Sequence, residues 1–369
     1  VATHGSSIRL GMIGLGSMAR AHLGDVLDAS NAEIIAICEP AEVALARAST
    51  VFQAHGLPTP PNEPDWRRFL DRFAPGLDAV LIVTPHALHF AQASAALEAG
   101  LDVLLEKPMV MTAEEAEALI GVRDRTGRLL VVAFQGSLSP QIREATRLLR
   151  SGNLGTTLGV SAMAWQNWAS NTVGTWRQDP LVSGGGFLFD TGAHMLNTVC
   201  DLLGEDVSQV AAWLRDDGSP VDIRASVMAR TASDVLVTLH ACGSAIPSCA
   251  SDIRVFTSEA IIRTGIWGEA LEIQRSGEKQ LRRVPSIASV PVWQTFSAIR
   301  SGSLANPSPV EIGLRMARLW DAIRASAARD GSVVDVAVGS RRSDRPTELV
   351  PEAQAPIAGL GMVPEAAGA

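Results

Sequence analysis

The tightest constraint on this chain lies between Ile8 and Cys38, where a strand, a glycine turn, a helix and a second strand follow one another with almost no spare residues. "IRLGMIG" (8–14) is apolar without alternation and reads as a buried strand. "SMARAHLGDVLDA" (17–29) carries Ala19, Leu23, Val26 and Leu27 at helical spacing, and "AEIIAIC" (32–38) reads as another strand. The alternation continues with strands in "LDAVLIVTP" (77–85), "LDVLLEKP" (101–108) and "RLLVVAF" (128–134). Helical segments lie between them at 87–99 and from Thr112, where Thr112 and Glu115 form a capping box and Gly127 a stop signal. Strands separated by helices call for crossover connections, hence a parallel sheet covered on both faces.

After residue 150 the pattern changes. "TTLGVSAMA" (156–164), "VSQVAAWL" (207–214), "DIRASVMAR" (222–230), "DVLVTLHA" (234–241), "DIRVFT" (252–257) and "AIIRTG" (260–265) read as strands with few helices between them. That predicts a largely antiparallel sheet. A last helix is expected at 309–328, followed by a Pro-, Ala- and Gly-rich tail at 341–369, either disordered or an arm on another surface. The expected class is α/β, with a dinucleotide-binding domain over 1–134, an α+β domain over 135–340 and the tail.

Composition narrows the function. The formal net charge of −8 argues against nucleic acid or an anionic membrane surface as the main partner. No apolar run reaches the length of a membrane span, and "VATHGSSIRL" has no basic region followed by an apolar core. A cytoplasmic location without a secretory leader is therefore expected. Cys38, Cys200, Cys242 and Cys249 form no CxxC spacing and read as reduced thiols, with no metal site expected. The absence of tyrosine excludes every mechanism that uses a tyrosine acid.

"GLGSMA" (14–19) joins the first strand to the first helix as GxGxxA. Gly14 permits the tight turn, Gly16 lets the backbone approach a pyrophosphate, and Ala19 allows close helix–strand packing. Leu15, Ser17 and Met18 complete the loop at a helix N-terminus that attracts phosphate. Glu39 ends the second strand, where an acid takes the adenosine ribose hydroxyls of NAD. "EPAEVALAR" (39–47) places no cation beside it for a 2′-phosphate, so NAD is the expected cofactor.

With "EKP" (106–108) the ordered set becomes specific: "GLGSMARAH" (14–22), "VTPHALH" (83–89), "ALEAGLDVLLEKPM" (96–109), "LLRSGNLG" (148–155), "WRQDP" (176–180), "SGGGFLFDTGAH" (183–194) and a closing "GLRMARLWDAIRASAARDGSVVDV" (313–336). The chain resembles the glucose–fructose oxidoreductase/inositol dehydrogenase (Gfo/Idh/MocA) family over roughly residues 8–336. The resemblance implies a Rossmann domain followed by a domain with an open sheet, a sugar or polyol substrate between them, and a homodimer or homotetramer. It implies that Thr84, Pro85 and Glu106 line the cofactor and that Lys107, Asp190 and His194 occupy the reaction site. His86 replaces the commoner Asn after Thr-Pro, Ser137 stands where many members have Arg, and Asn197 stands near a position often held by Asp.

"FLFDTGAHMLN" (187–197) follows a glycine run that lets backbone or ligand come close. A helix starting near Phe189 would align Asp190, His194, Asn197 and Asp201 on one polar face, with Gly204 as its stop. Oxidising a secondary alcohol needs a hydride acceptor, which a nicotinamide supplies, and a base for the proton. Histidine suits that task, and a nearby ammonium stabilises developing alkoxide and discourages imidazolium. Asp190 would orient substrate hydroxyls, while the division of the proton between His194 and Lys107 stays open. His86 and His89 fit the cofactor edge better than a metal. Trp165, Trp168 and Trp176 cluster, and Trp165 and Trp176 either stack on a sugar or pack in the core. Arg177 reaches the cofactor or an acidic substrate group, or makes a surface ion pair. The leading expectation is an NAD-dependent dehydrogenase acting on the CH–OH group of a sugar, inositol or related polyol. The alternatives are a glycoside hydrolase or lyase using transient oxidation by held NAD, and a non-catalytic NAD-binding regulator.

Overall fold

A computed structural model describes residues 7–285 and 288–336. The tail expected at 341–369 lies outside the described residues. In chain order the strands are β1 (Ile8–Ile13), β2 (Ala32–Cys38), β3 (Ala79–Ile82), β4 (Asp102–Leu105), β5 (Leu130–Val132), β6 (Thr157–Asn167), β7 (Val207–Arg215), β8 (Arg224–Thr231), β9 (Leu236–Cys242), β10 (Ser244–Thr257), β11 (Ala260–Thr264), β12 (Glu272–Arg275), β13 (Arg282–Arg283) and β14 (Val334–Asp335). The α-helices are α1 (Ser17–Ala29), α2 (Glu42–Ala54), α3 (Trp66–Phe73), α4 (His89–Glu98), α5 (Ala113–Thr126), α6 (Gln135–Leu138), α7 (Pro140–Arg150), α8 (Trp168–Asn171), α9 (Pro180–Ser183), α10 (Gly192–Leu203), α11 (Val292–Arg300) and α12 (Val310–Ala327).

Strands β1–β5 form one parallel sheet in the order β2-β1-β3-β4-β5. The order reverses between β1 and β3, which opens the crevice where such sheets bind ligands at their carboxyl ends. The N-terminus of α5 is capped as the sequence predicts: Thr112 Oγ1 accepts the Glu115 N–H at 3.2 Å. The return arm differs, because Glu115 Oε2 accepts the Met111 N–H at 2.9 Å. Gly127 ends α5 in the left-handed conformation, as expected.

The remaining strands form a nine-stranded sheet in the order β13-β12-β11-β10-β6-β9-β8-β7-β14. Its one parallel pair is β6 with β9; the other pairings are antiparallel. Residues alternate strictly between buried and exposed along β8, the signature of a sheet covered on one face only. Helices α10 and α12 pack together, and α12 lies along β7 on the covered side. The open face carries exposed Met163, Met228, Leu236 and Phe256, of which Leu236 and Phe256 share one cross-strand row through Gly159.

Helix α11 is an element the sequence reading does not anticipate. Far along the chain, it returns to the parallel sheet, where Trp293, Phe296 and Ile299 join a core with Leu10, Leu23, Val26 and Phe52. The Trp293 indole N–H donates to Asn31 Oδ1 at 2.7 Å, just past α1. Trp293→Ala should therefore destabilise the parallel-sheet unit by about 3–5 kcal/mol, the range for deleting a buried aromatic ring. Urea unfolding measures this, and a loss below about 1 kcal/mol would mean that α11 only rests on the surface.

Candidate active site

The glycine loop explains itself at one position and not at another. Gly14 has φ +87°, and a Cβ there would sit 2.4 Å from the Val83 carbonyl oxygen, so β3 passes too close for any side chain. Gly16 is extended, and a Cβ there would meet nothing within 4 Å. The chain's own packing gives no reason for glycine at 16; a ligand backed against the loop does. Helix α1 begins there with no side-chain cap and no acid in its first turn, leaving its N–H groups for an anion. Gly16, Ser17 and Met18 are exposed. The donor set thus fits a dinucleotide pyrophosphate.

Glu39 Oε2 accepts the Leu15 N–H at 2.7 Å and Oε1 the Ala41 N–H at 2.8 Å. Asn62, which the sequence reading misses, fixes the Glu39 backbone on both sides. The acid is therefore held at the rim of the glycine loop. Thr84 and Pro85 follow β3, with the Thr84 hydroxyl donating to Gln92 Oε1 at 2.6 Å. Gln92 is 1% exposed, and no motif marks it.

Lys107, Asp190 and their neighbours form a buried charged knot. Lys107 Nζ donates to Asp190 Oδ1 at 2.8 Å and to its carbonyl oxygen at 3.0 Å. Asp190 Oδ2 accepts the Trp168 indole N–H at 2.8 Å and Arg177 Nε–H at 3.1 Å. His86 Nε2 lies 3.9 Å from Oδ1. Burial resists ionisation of Asp190, but Lys107, Arg177 and His86 hold it well below the usual carboxylate range. His194 sits beside this knot with its ring edge-on to Phe134 and tilted against Trp267. Its Nδ1 is buried without a partner. Burial, then the Lys107 charge, lowers its pKa to about 3, so the imidazole is neutral at neutral pH.

Several expectations need correction. Helix α10 starts at Gly192, not near Phe189, and Asp190 belongs to the preceding turn, with its N–H on the Gly186 carbonyl. The stripe His194–Asn197–Asp201 faces inward as a polar seam: Asn197 Nδ2 donates to Ser137 Oγ at 2.7 Å, and Asp201 pairs with Arg143 and Arg150. Trp165 lies on the open sheet face, in register with Cys242 and Arg224, because strand alternation turns it away from buried Ala164. Trp168, not Trp165, is the tryptophan that hydrogen-bonds to Asp190. Trp176 is close by, edge-on to His86 at 4.8 Å and under the Arg177 guanidinium at 4.7 Å. Arg177 is thus bound to Asp190 rather than paired on the surface.

His86 and His89 are buried, with their ring nitrogens turned to main-chain carbonyls. His86 is 3% exposed and spends Nδ1 on the Ser183 carbonyl at 2.7 Å. His89 is fully buried, with ring nitrogens 2.8 Å and 2.9 Å from the Pro108 and Thr84 carbonyl oxygens. Both serve as struts under the site, and burial lowers both pKa values. The glycine run serves the backbone: a Cβ on Gly186 would lie 1.8 Å from the Asp222 carbonyl oxygen. The Asp222 carboxylate accepts the N–H groups of Gly186 (2.7 Å) and Leu188 (3.1 Å).

Glu106 connects the two parts of the first unit. Its Oε1 lies 2.7 Å from His22 Nε2 on α1, and its Oε2 accepts the Lys107 N–H at 2.9 Å. Burial opposes both charges, yet each partner outweighs it: the pKa of His22 is raised and that of Glu106 falls to about 2. A raised histidine pKa gives stability that is complete below the ordinary 6.5 and is lost as pH rises through the folded value. Urea unfolding from pH 6 upward should show wild-type protein losing stability that His22→Gln does not lose. Parallel curves for the two proteins would contradict a charged His22–Glu106 pair.

Comparison with known proteins agrees with this geometry. Residues 8–134 match the GFO_IDH_MocA oxidoreductase family, NAD-binding Rossmann fold, and residues 142–263 match the GFO/IDH/MocA C-terminal domain. Levoglucosan dehydrogenase of Pseudarthrobacter phenanthrenivorans is 32% identical over 143 residues, 38% of this chain and only 36% of that protein's length. Inositol 2-dehydrogenase 4 of Saccharopolyspora erythraea is 25% identical over 93% of this chain and 96% of its own. A solved levoglucosan dehydrogenase in complex with NADH and levoglucosan shares the fold at TM-score 0.76 and 24% identity, over 90% of this chain and all of that one. With its NAD-binding Rossmann unit and its mostly antiparallel second sheet, the chain belongs to the Gfo/Idh/MocA oxidoreductase family.

Proposed function

We propose that the chain is an NAD-dependent dehydrogenase that oxidises a secondary alcohol of a sugar, inositol or related polyol. The observation that carries this reading is the contact of Lys107 with Asp190 beside a neutral His194, reached from the same sheet edge as the glycine loop. The relatives named above, a levoglucosan and an inositol dehydrogenase, point to the same substrate class.

The residues divide the work as follows. Bound NAD supplies the hydride acceptor. An ammonium has three N–H donors, and Lys107 spends two on Asp190, leaving one for the substrate oxygen. That donor stabilises the oxygen as its proton leaves. His194, kept neutral by burial and by Lys107, takes the proton. Asp190 has a strong donor on each carboxylate oxygen and is 4% exposed, so it orients Lys107 rather than the substrate hydroxyls. Trp176 and Trp267 offer apolar faces to a ring. The cations of the knot are already joined to Asp190, which favours a neutral polyol over a phosphorylated one.

The exposed apolar side chains of the open sheet face, Met163, Met228, Leu236 and Phe256, support a homo-oligomer joined through that face. Sedimentation of wild type and of Leu236→Glu tests it, with dissociation of the variant as the expected outcome.

Glu39 accepts ribose hydroxyls and repels a 2′-phosphate, so NAD should bind about ten- to a hundredfold more tightly than NADP. Titration of both cofactors decides this, and tighter NADP binding would refute the role of Glu39. A panel of sugars and inositols assayed with NAD identifies the substrate. On it, Lys107→Met and His194→Ala should keep NAD affinity, while His194→Ala loses about 10²–10⁴ in turnover. Near wild-type turnover in both variants, or preferred oxidation of sugar phosphates, would overturn the reading.

A further inference from the structure

We infer that Trp168 is the positioning residue of the site: its indole N–H fixes the Asp190 carboxylate, and Asp190 in turn aims Lys107. The inference rests on the reading of Lys107 as the group that meets the substrate oxygen.

The four groups around Asp190 differ in how firmly they are held. Lys107 reaches it on a flexible four-carbon stem, and its side chain is 14% exposed. The Arg177 side chain is 28% exposed and projects from a single short turn. His86 stands at 3.9 Å, beyond hydrogen-bond reach of Oδ1. Trp168 is 2% exposed. Its backbone N–H donates to the Gly243 carbonyl at 2.8 Å, its carbonyl accepts the Thr172 hydroxyl at 2.9 Å, and its ring meets Phe187 edge-on at 6.1 Å. The indole therefore has no room to follow a moving carboxylate, and it donates 2.8 Å to Oδ2.

An indole N–H is a single donor with one direction. Fixing Oδ2 sets the carboxylate plane and turns Oδ1 towards Lys107. Lys107 then makes two directed bonds to one residue, to Oδ1 and to the main-chain oxygen. Two fixed bonds determine where the third N–H points. Without the indole, the carboxylate is free to swing towards Arg177, and the ammonium loses one of the two contacts that orient it. The charge stays; the aim is lost. Among the described residues the Trp168 indole hydrogen-bonds to Asp190 and to neither Lys107 nor His194, so it acts through Asp190.

The test replaces Trp168 with Phe and, separately, with its benzothienyl isostere, which keeps both rings but has no N–H. Each is assayed beside Lys107→Met on the substrate that the panel identifies. The expected result is kcat lowered about 10–100-fold by the isostere, the range for losing one charge-assisted hydrogen bond, with KM and NAD affinity unchanged. Wild-type kcat in the isostere, while Lys107→Met is dead, overturns the role of Trp168 alone. A rise in KM matching the fall in kcat also overturns it, because Asp190 would then be holding substrate. Wild-type turnover in Lys107→Met overturns the functional reading and this inference with it. Because the isostere preserves packing, a folding defect in Trp168→Phe leaves the result decided.

Discussion

The carboxylate of Asp190 is the point on which the two halves of this molecule converge. A charge at 4% exposure is costly unless every lone pair finds a donor. The donors come from separate places: Lys107 just after β4, Trp168 at the end of β6, and Arg177 in the turn before α9. None of these segments neighbours Asp190 in sequence. The parallel sheet and the nine-stranded sheet must both be in place before the charge is satisfied, which ties the site's electrostatics to the completed fold. The same requirement explains the glycines at 185 and 186. A Cβ on Gly185 would meet the Trp320 ring at 2.6 Å and one on Gly186 the Asp222 backbone, so only glycine lets the turn bearing Asp190 lie this deep.

The nucleotide end depends on a parallel piece of economy. Gly14 lets β1 and β3 close up, Glu39 braces the loop that follows, and the His22–Glu106 pair ties α1 to the start of the Lys107 segment. The helix at the glycine loop and the segment bearing Lys107 are thus linked through one buried acid. Glu106 takes His22 on one oxygen and the Lys107 N–H on the other.

Much of this was legible in the sequence. The first strand–helix–strand passage is found where its apolar spacing puts it, because both elements are long and their periods differ. Lys107 and Asp190, far apart in sequence, meet in space, and His194 lies near enough to feel both charges. What the sequence hides is set by tertiary packing. Nothing local shows that "VWQTFSAIR" (292–300) will cross back to the first sheet, and β13 and β14 are two residues each, too short for any period. The aromatic cluster at 165–176 signals a site without saying which ring enters it. A one-residue change of strand face separates Trp165 from Gln166, whose Oε1 accepts the Thr191 hydroxyl beside Asp190. Ser137 and Asn197, two separate departures from the family pattern, are one event in space: a neutral buried hydrogen bond between them.

The histidines show how far neighbours, rather than residue type, decide the chemistry. His22 and His194 are both shielded from water, and burial alone would leave both neutral. His22 meets a carboxylate at 2.7 Å, and its pKa rises. His194 meets no carboxylate within hydrogen-bond reach in the described structure, because Asp190 is committed to Lys107, Trp168 and Arg177. Burial, and after it the nearby Lys107 ammonium, outweighs the opposing pull of Glu106 and Asp190, and the His194 pKa drops to about 3. Engaging Asp190 elsewhere therefore has a chemical consequence. With its carboxylate bound to Lys107, Trp168 and Arg177, Asp190 raises the His194 pKa too little to offset burial, and the imidazole stays neutral.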